Sequence, residues 1–417
     1  MARIVVVSAA YLGDVAPFVA PANALVARGH DVSFLAPAGF HPLFAGEQFA
    51  LDTYPLDFSS AAMHADPAHE RLMRHPFRNQ ARLARYWMRK GLVSDPDAVR
   101  SGLLRSLGDA DVVVTHSTMT TAVMPVADKL KMPVVVGHLF PMLVPTRDHM
   151  PGFGSRSRDL GSFLNRAAWS ATAFATRLAF HDAEVNKFRV SLGAPVQRAS
   201  ALVTWMDAAR TVMLVSPHYY GDTPPDWPPI RWGGFSHWPG PAGQTLAPEV
   251  EEFIEAGDRP VLVTLGTSAA TGAGEQFAAI GRGLDGIGLR SLLLVADEGN
   301  LHALAGRDGV FVFAPISQLL SRCRVAVVSG ALGALSAALS AGVPVVVVPQ
   351  LFDQLWHGGR VEQLGVGLMA HRPAAVVKAV ARIEADPRFA ERARALAARM
   401  AGEDGAAALA DATEAVL

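Results

Sequence analysis

Runs of β-branched residues alternate along this chain with stretches whose apolar positions recur every three or four residues. Ile4–Ser8 and Val32–Leu35 read as strands, with a helix over Pro17–Arg28, closed by Gly29, between them. Val112–Thr115 and Val134–Gly137 repeat the pattern around a helix over Thr121–Leu130. Ala199–Ala209 and Thr211–Val215 supply a last helix and strand. Strands that are apolar throughout, without alternation, are covered on both faces, which predicts a parallel sheet with helices on each side. From 216 to 245 the periodicity stops, and residues 224–241 are dense in Pro, Gly and Trp, as an interdomain linker would be. The alternation then resumes. Strands are predicted at Val261–Leu265, Leu292–Val295, Val310–Phe313, Val325–Val328 and Val345–Val348, and helices near 274–285, 333–341, 353–364 and 374–385. Residues 387–417 are rich in Ala, Arg and Glu and helical in character. The expected organisation is two doubly wound α/β domains, 1–215 and 246–417, joined by 216–245. Such sheets bind ligands at the carboxyl ends of their strands.

Composition agrees with two cores. The chain has 417 residues, of which 50% are hydrophobic, enough for two domains of about 200 residues each. The net charge of −1 hides an asymmetry: 22 Lys and Arg against 17 Asp and Glu up to residue 215, then 15 against 21. An excess this small does not suggest a nucleic-acid binder. The one cysteine, Cys323, excludes a disulfide framework and a cysteine zinc site, and suits the reducing cytoplasm. The apolar run at the N-terminus is too short for a signal peptide and lacks a cleavage pattern, and no apolar run reaches about 18 uncharged residues. The expected location is cytoplasmic.

Three strand-to-helix junctions carry groups suited to chemistry. In SAAYLGDVAP, residues 8–17, Gly13 permits a tight turn and Asp14 would project from the carboxyl edge of the first sheet, able to take a proton from a hydroxyl. The alternative is that Asp14 caps the helix, with Pro17 in its first turn. In VTLGTS, residues 263–268, Gly266, Thr267 and Ser268 offer backbone N–H groups and two hydroxyls to a phosphate or a sugar, or simply end a strand. The run 311–367 is the most specific, because order and spacing agree over more than fifty residues. A strand ends at Val328, and a turn with Gly330 and Gly333 leads into a helix whose N-terminus would face a diphosphate. Asp353 and Gln354 follow the next strand, where they could grip sugar hydroxyls. Two ordinary strand–helix units without a ligand would also fit.

This last run resembles the donor-binding region of the family 1 glycosyltransferases of GT-B fold. WGGFSHWP from Trp232 and PEVEEFIEAGDRPVLVTLGTS from Pro248 are also similar to that family. Gly-Asp-Val-x-Pro near the N-terminus is similar to the branch of vancomycin-type antibiotic glycosyltransferases and sterol glucosyltransferases. The likeness spans nearly the whole chain and is weakest at 55–110 and 140–200, where acceptor pockets vary. It implies two Rossmann-like domains facing each other across a cleft. It also implies a metal-independent, inverting transfer from a UDP- or dTDP-sugar to a hydroxyl of an apolar molecule such as a polyketide, sterol or glycolipid. The nucleotide sugar would be a co-substrate, with no cofactor. Asp14 would be the general base. Thr267 and Ser268 would line donor phosphate and sugar, Pro315, Ile316 and Gln318 flank the nucleobase, Gly330 and Gly333 shape the phosphate turn, and Asp353 and Gln354 bind the sugar. The turn departs from the family pattern His-His-Gly-Gly-x-Gly-Thr, with Ser329 in place of the second His and Ala334 in place of Thr. Loss of a charge-assisted donor costs about 1.5–3 kcal/mol. Two alternatives therefore stay open: a catalytically silent GT-B protein that binds a ligand or assists a partner enzyme, and a nucleotide-sugar epimerase.

Other features are weaker. His116 and His138 follow valine-rich strands, and with Phe140, Met142, Phe163 and Trp169 they are candidate acceptor-pocket residues by position; each type is also common in cores. Residues 71–90 hold seven Lys and Arg and no acid. On one helix, started or interrupted by Pro76, they would form a basic stripe, either solvated or docked on an anionic membrane surface. Asp95-Pro-Asp97 and Asp109-Ala-Asp111 match a metal-binding Asp-x-Asp pattern but read better as a helix start and a strand entry. No convincing Gly-x-Gly-x-x-Gly follows the first strand, and neither a Walker lysine motif nor Gly-x-Ser-x-Gly is present.

Overall fold

Each valine-rich run forms a strand in the computed structural model, which describes residues 1–8, 11–152, 154, 158–179, 181–241, 244–266 and 273–417. Seven strands form the first sheet: β1 (Arg3–Val7), β2 (Asp31–Ala36), β3 (Ala50–Thr53), β4 (Val112–His116), β5 (Val134–His138), β6 (Arg210–Met213) and β7 (Arg231–Trp232). Their order is β3-β2-β1-β4-β5-β6-β7, and every pairing is parallel. Six strands form the second: β8 (Val261–Thr264), β9 (Ser291–Leu294), β10 (Val310–Phe311), β11 (Val325–Val328), β12 (Val345–Val347) and β13 (Gly367–Met369), in the order β10-β9-β8-β11-β12-β13, again all parallel. In both sheets the order reverses beside the first strand, between β1 and β4 and between β8 and β11. Chain crossovers leave these strand pairs in opposite directions and open a crevice at their carboxyl ends.

Burial explains the central strands. Ile4, Val5, Val6 and Val7 are at most 1% exposed, as are Val112, Val113 and Val114. In the second unit, Val261, Val263, Leu293, Val325, Val327 and Val346 pack with Phe277, Ile280 and Leu284 from helix Gly274–Asp285 and with Val376 and Val380 from helix Pro373–Ala385.

The first helix runs Leu12–Ala27, five residues ahead of the expected start, so Gly13 and Asp14 lie in its first turn and Pro17 and Pro21 in its interior. Gly13 therefore makes no tight turn. A helical proline leaves the carbonyl four residues earlier without its donor. For Pro21 that carbonyl belongs to Pro17, and the Ser236 hydroxyl donates to it at 2.6 Å.

That contact shows how the compact units differ from the division expected from composition. The first unit comprises Met1–Gly152, Ser157–Pro241 and Glu403–Leu417, and the second is built chiefly from Ala242–Gly402. Most of the expected linker belongs to the first unit: it contributes β7, and Trp238 Nε1 donates to Glu47 at 2.8 Å. The C-terminal helix Gly405–Glu414 packs on Leu12–Ala27. There Arg28 pairs with Asp411 at 3.0 Å and Glu414 at 2.6 Å, and Arg231 pairs with Asp411 at 3.0 Å. These partners are nearly 400 residues apart or lie in an aperiodic stretch, so local pattern could not reveal them. Among the described residues no helix is long and apolar enough to cross a membrane.

Candidate functional site

Asp14 stands where the first sheet's order reverses. Tyr11 is the N-cap of helix Leu12–Ala27, and its backbone N–H donates to Asp14 Oδ2 at 3.3 Å, while the Ser8 hydroxyl donates to the Asp14 carbonyl at 2.9 Å. The carboxylate thus does act as a cap, through one oxygen. The other oxygen, Oδ1, lies 3.9 Å from Nε2 of His116, the last residue of β4, and the Asp14 side chain remains 23% exposed. Both readings of Asp14 are compatible, because a carboxylate has two acceptor atoms.

The tautomer of His116 follows from its other nitrogen. Nδ1 accepts from the Thr118 N–H at 3.1 Å and lies 2.5 Å from the Thr118 hydroxyl. Nε2 therefore carries the proton, directed at Asp14 from beyond hydrogen-bond range. Burial, then the nearby His138, push the His116 pKa down to about 3, so it presents a neutral N–H dipole. His138 ends β5, donates from Nε2 to the Phe140 carbonyl at 3.0 Å and stacks on Trp205 at 4.3 Å. Burial lowers its pKa to about 3 as well.

These two imidazoles make stability depend on pH. Below about pH 6.5 the unfolded chain takes up a proton on each, while the folded chain refuses both until about pH 3. More protons are then bound by the unfolded state, so stability falls as pH drops through that window. At pH 5.5 each histidine should cost about 1.4 kcal/mol relative to neutral pH. Urea midpoints at pH 7.5 and 5.5 test this, and His138→Gln should flatten the dependence. Equal slopes in the two proteins would refute it.

Four of the expected acceptor residues sit behind the edge rather than on it. His116 is 0% exposed, His138 2%, Met142 1% and Trp169 7%, with Trp169 Nε1 donating to the His149 carbonyl at 2.9 Å. Aromatic and thioether groups on this fold fill the core beneath the strand ends, which is why they read as pocket residues by position. Phe140 is half-buried and Phe163 exposed. Unforeseen from sequence was a cluster on the other side of Tyr11. The Tyr11 hydroxyl is 2.8 Å from His69 Nε2, the Trp87 ring meets Tyr11 edge-on at 5.5 Å, and Tyr86 lies 5.5 Å from His69. Burial raises the Tyr11 pKa and lowers that of His69 to about 4. Their positions, 58 or more residues from Tyr11, carried no local signal. The Asp-x-Asp pairs have structural partners: Asp95 caps helix Pro96–Leu107 through Ala98, and Asp109 and Asp111 hold Arg3.

The described donor residues gather at the carboxyl edge of the second sheet. Gly266 follows β8, Pro315 and Ile316 follow β10, Ser329 and Gly330 follow β11, and Asp353 and Gln354 follow β12. Thr267 and Ser268 lie outside the described residues. Gly266 has φ +75°, and a Cβ there would stand 3.2 Å from Ser329 Oγ, so the turns after β8 and β11 touch. Gly330 has φ +92°, and its Cβ would come 2.7 Å from Val347 Cγ1 on β12. The helix that follows, Leu332–Ser340, has Ala331 at its N-cap and no side-chain cap, and none of the described residues lies within 4 Å of where a Gly333 Cβ would stand. N–H groups at a helix N-terminus without a side-chain cap are an anion-binding arrangement. Ser329 is buried and its hydroxyl accepts weakly from the Ala331 N–H at 3.4 Å.

Gln354 braces this edge. Its Oε1 accepts from the N–H groups of Gln350 at 2.7 Å and Leu351 at 3.0 Å, holding a turn in which Phe352 has φ +28°. Backbone held in such a sparsely populated region is common at ligand sites. Asp353 Oδ2 lies 3.3 Å from His357 Nε2. Pro315 is the N-cap of the short helix Ile316–Leu319, and exposed Gln318 donates to the Gln244 carbonyl at 2.8 Å.

Residues 296–416 match the family model for the erythromycin biosynthesis protein CIII-like C-terminal domain. The chain is 29% identical, over 97% of its length, to O-mycaminosyltylonolide 6-deoxyallosyltransferase of Streptomyces fradiae, covering 94% of that protein. It is 22% identical, over 95% of its length, to sterol 3-beta-glucosyltransferase of Komagataella phaffii, covering 33% of that larger protein. Among solved structures, the glycotransferase of kitacinnamycin aligns with TM-score 0.70 at 20% identity, covering 100% of this chain and 99% of that one. Streptomyces sp. SF2575 glycosyltransferase SsfS6, complexed with thymidine diphosphate, aligns with TM-score 0.64 at 20% identity over 100% of both chains. The fold is GT-B, as the resemblance implied.

Proposed function

We propose, for a chain that is a glycosyltransferase homologue of GT-B fold acting on natural-product or sterol-type acceptors, that it moves a sugar from UDP or dTDP to an acceptor hydroxyl with inversion at the anomeric carbon. The observation that carries this reading is the matched placement of groups at the two points where strand order reverses. One holds a partly exposed carboxylate, Asp14, and the other an uncapped helix N-terminus behind Gly330.

A carboxylate is a far weaker base than an alkoxide, so Asp14 can serve only if proton transfer is concerted with attack. As the acceptor oxygen bonds to the anomeric carbon, its proton passes to Asp14 Oδ1. The bond from that carbon to the diphosphate breaks with its electron pair. The N–H groups at the start of helix Leu332–Ser340 stabilise the negative charge that develops on the departing nucleoside diphosphate. His116 directs its Nε2–H dipole at the carboxylate that must gain the proton. Backbone donors supply this turn where Ser329 and Ala334 replace the usual side chains. The relative solved with thymidine diphosphate favours dTDP as the nucleotide. The nucleotide sugar is the only co-substrate in the scheme.

A mass-spectrometric screen of UDP- and dTDP-sugars with pooled polyketide, sterol and phenolic acceptors tests the reading, together with calorimetric titration of dTDP. Acceptor-dependent release of nucleotide is expected. Nucleotide binding without transfer to any acceptor would favour a silent protein. Conversion of the nucleotide sugar without acceptor would favour an epimerase.

A further inference from the structure

The basic stretch 71–90 does not form one stripe. It breaks into helix Pro67–Met73, helix Gln80–Met88 and a single π-helical turn, Arg89–Val93. Arg74 pairs with Glu70 at 3.0 Å and Lys90 with Asp66 at 2.8 Å, while Arg71 and Arg78 stand in solvent. Arg82, Arg85 and Arg89 behave differently. They recur at helical spacing on one face and line a pocket of about 640 Å³ together with Tyr86, His181 and Glu184. That volume falls in the range of small-molecule sites.

The charges in this pocket are unbalanced. Arg85 Nε donates to His181 Nε2 at 3.3 Å, and His181 Nδ1 lies 3.6 Å from Glu184, the one carboxylate of the lining. Arg82 and Arg89 engage no carboxylate among the described residues. Like charges three and four positions apart on a helix repel and destabilise it. Three guanidiniums lining one concavity, whose one acid lies beside a histidine, suit an oxyanion, which such forks bind in bidentate fashion.

A chain of contacts links the pocket to the proposed base. The Tyr86 ring that lines it lies 5.5 Å from His69, His69 is hydrogen-bonded to the Tyr11 hydroxyl, and the Tyr11 N–H donates to Asp14. We propose that this pocket binds a carboxylate or phosphate carried by the acceptor, away from the hydroxyl that reacts. The inference rests on the glycosyl-transfer reading and narrows its acceptor class to apolar molecules bearing an acidic group.

The test has three arms. First, inorganic phosphate is titrated calorimetrically into the full chain at low ionic strength, because exposed charges are screened by salt. Wild type should bind it, and the double variant Arg82→Gln, Arg89→Gln should bind at least tenfold more weakly with dTDP affinity unchanged. Equal phosphate affinity in both proteins, or none in wild type, overturns the proposal. Second, acidic acceptors are compared with their methyl esters. Wild type should favour the acids at least tenfold in kcat/KM, and the double variant should lose that preference. Equal use of acid and ester by wild type would assign the pocket to a free anion and overturn the acceptor claim. Third, phosphatidylserine vesicles that sediment wild type but not the variant would assign the pocket to a lipid headgroup, with the same consequence. If no acceptor of any kind is glycosylated while arginine-dependent phosphate binding persists, sugar transfer fails and takes the acceptor claim with it, but the oxyanion site stands.

Discussion

Asp14→Asn is expected to lower kcat/KM by about 10²–10⁴-fold, the range that a positioned general base contributes, while leaving dTDP affinity unchanged. Asparagine tests the base without removing the cap. Its carbonyl oxygen can still accept from the Tyr11 N–H, which Asp14 Oδ2 now does at 3.3 Å. What it loses is the proton acceptor and the favourable placement of a negative charge in a helix's first turn, the latter about 0.3–1 kcal/mol of stability. Asp14→Ala removes both functions and should lose about 1 kcal/mol more through the missing cap. Steady-state kinetics and urea denaturation of the two variants separate the roles. If Asn turns over like wild type and only Ala is impaired, in proportion to its stability, Asp14 is a cap and nothing else.

Asp14 was legible because it lies in the strand-to-helix connection that follows a strand apolar on both faces. Such a strand must be central, and the residues after a central parallel strand lie at the edge where these folds bind ligands. The same logic located Gly266, Ser329, Gly330, Asp353 and Gln354. What escaped were features whose cause is distant in sequence. β3 is partly exposed along its length, and β7 spans only Arg231–Trp232, so neither leaves a hydrophobic run to recognise. Helix Gly405–Glu414 is amphipathic wherever it docks. Its place in the first unit depends on Arg28, His30 and Arg231 meeting Asp411 and Glu414, a match of charges between remote segments.

The sites show the same limit more finely. Sequence placed His116 near the edge correctly but suggested an acceptor contact. Its orientation is set by Thr118 two residues on, and its burial by Phe18 and Phe140 packed edge-on at 5.6 and 5.7 Å. Gln354 read as a sugar ligand, yet its carbonyl is committed to two backbone N–H groups, leaving only its NH₂ for a ligand. The arginines of 71–90 were visible as charge. That three of them converge depends on the break at residues 74–79 and on the π-helical turn at Arg89, neither of which a periodicity count resolves.

Gly330→Ala should destabilise the second unit by about 2–5 kcal/mol and weaken dTDP binding by at least tenfold. Two costs combine. A backbone at φ +92° is one that an L-residue avoids, by roughly 1–2 kcal/mol. The new methyl would also stand 2.7 Å from Val347 Cγ1, a buried atom on β12, and 3.3 Å from the Gln354 carbonyl, so relief requires moving a strand or the turn that Gln354 braces. Overpacking of this kind costs about 1–3 kcal/mol. Any such shift re-aims the N–H groups at the start of helix Leu332–Ser340, which is why affinity should fall along with stability. Gly333→Ala is the control with the opposite signature. None of the described residues lies within 4 Å of that Cβ, and alanine is the better helix former by up to about 1 kcal/mol, so the protein should be as stable as wild type or more so. If the diphosphate lies beside Gly333, the added methyl intrudes on it and dTDP binding weakens without loss of fold. Urea denaturation with calorimetric titration of dTDP reads both quantities on both variants. A Gly333→Ala protein that binds dTDP as wild type does would mean that the pyrophosphate lies elsewhere.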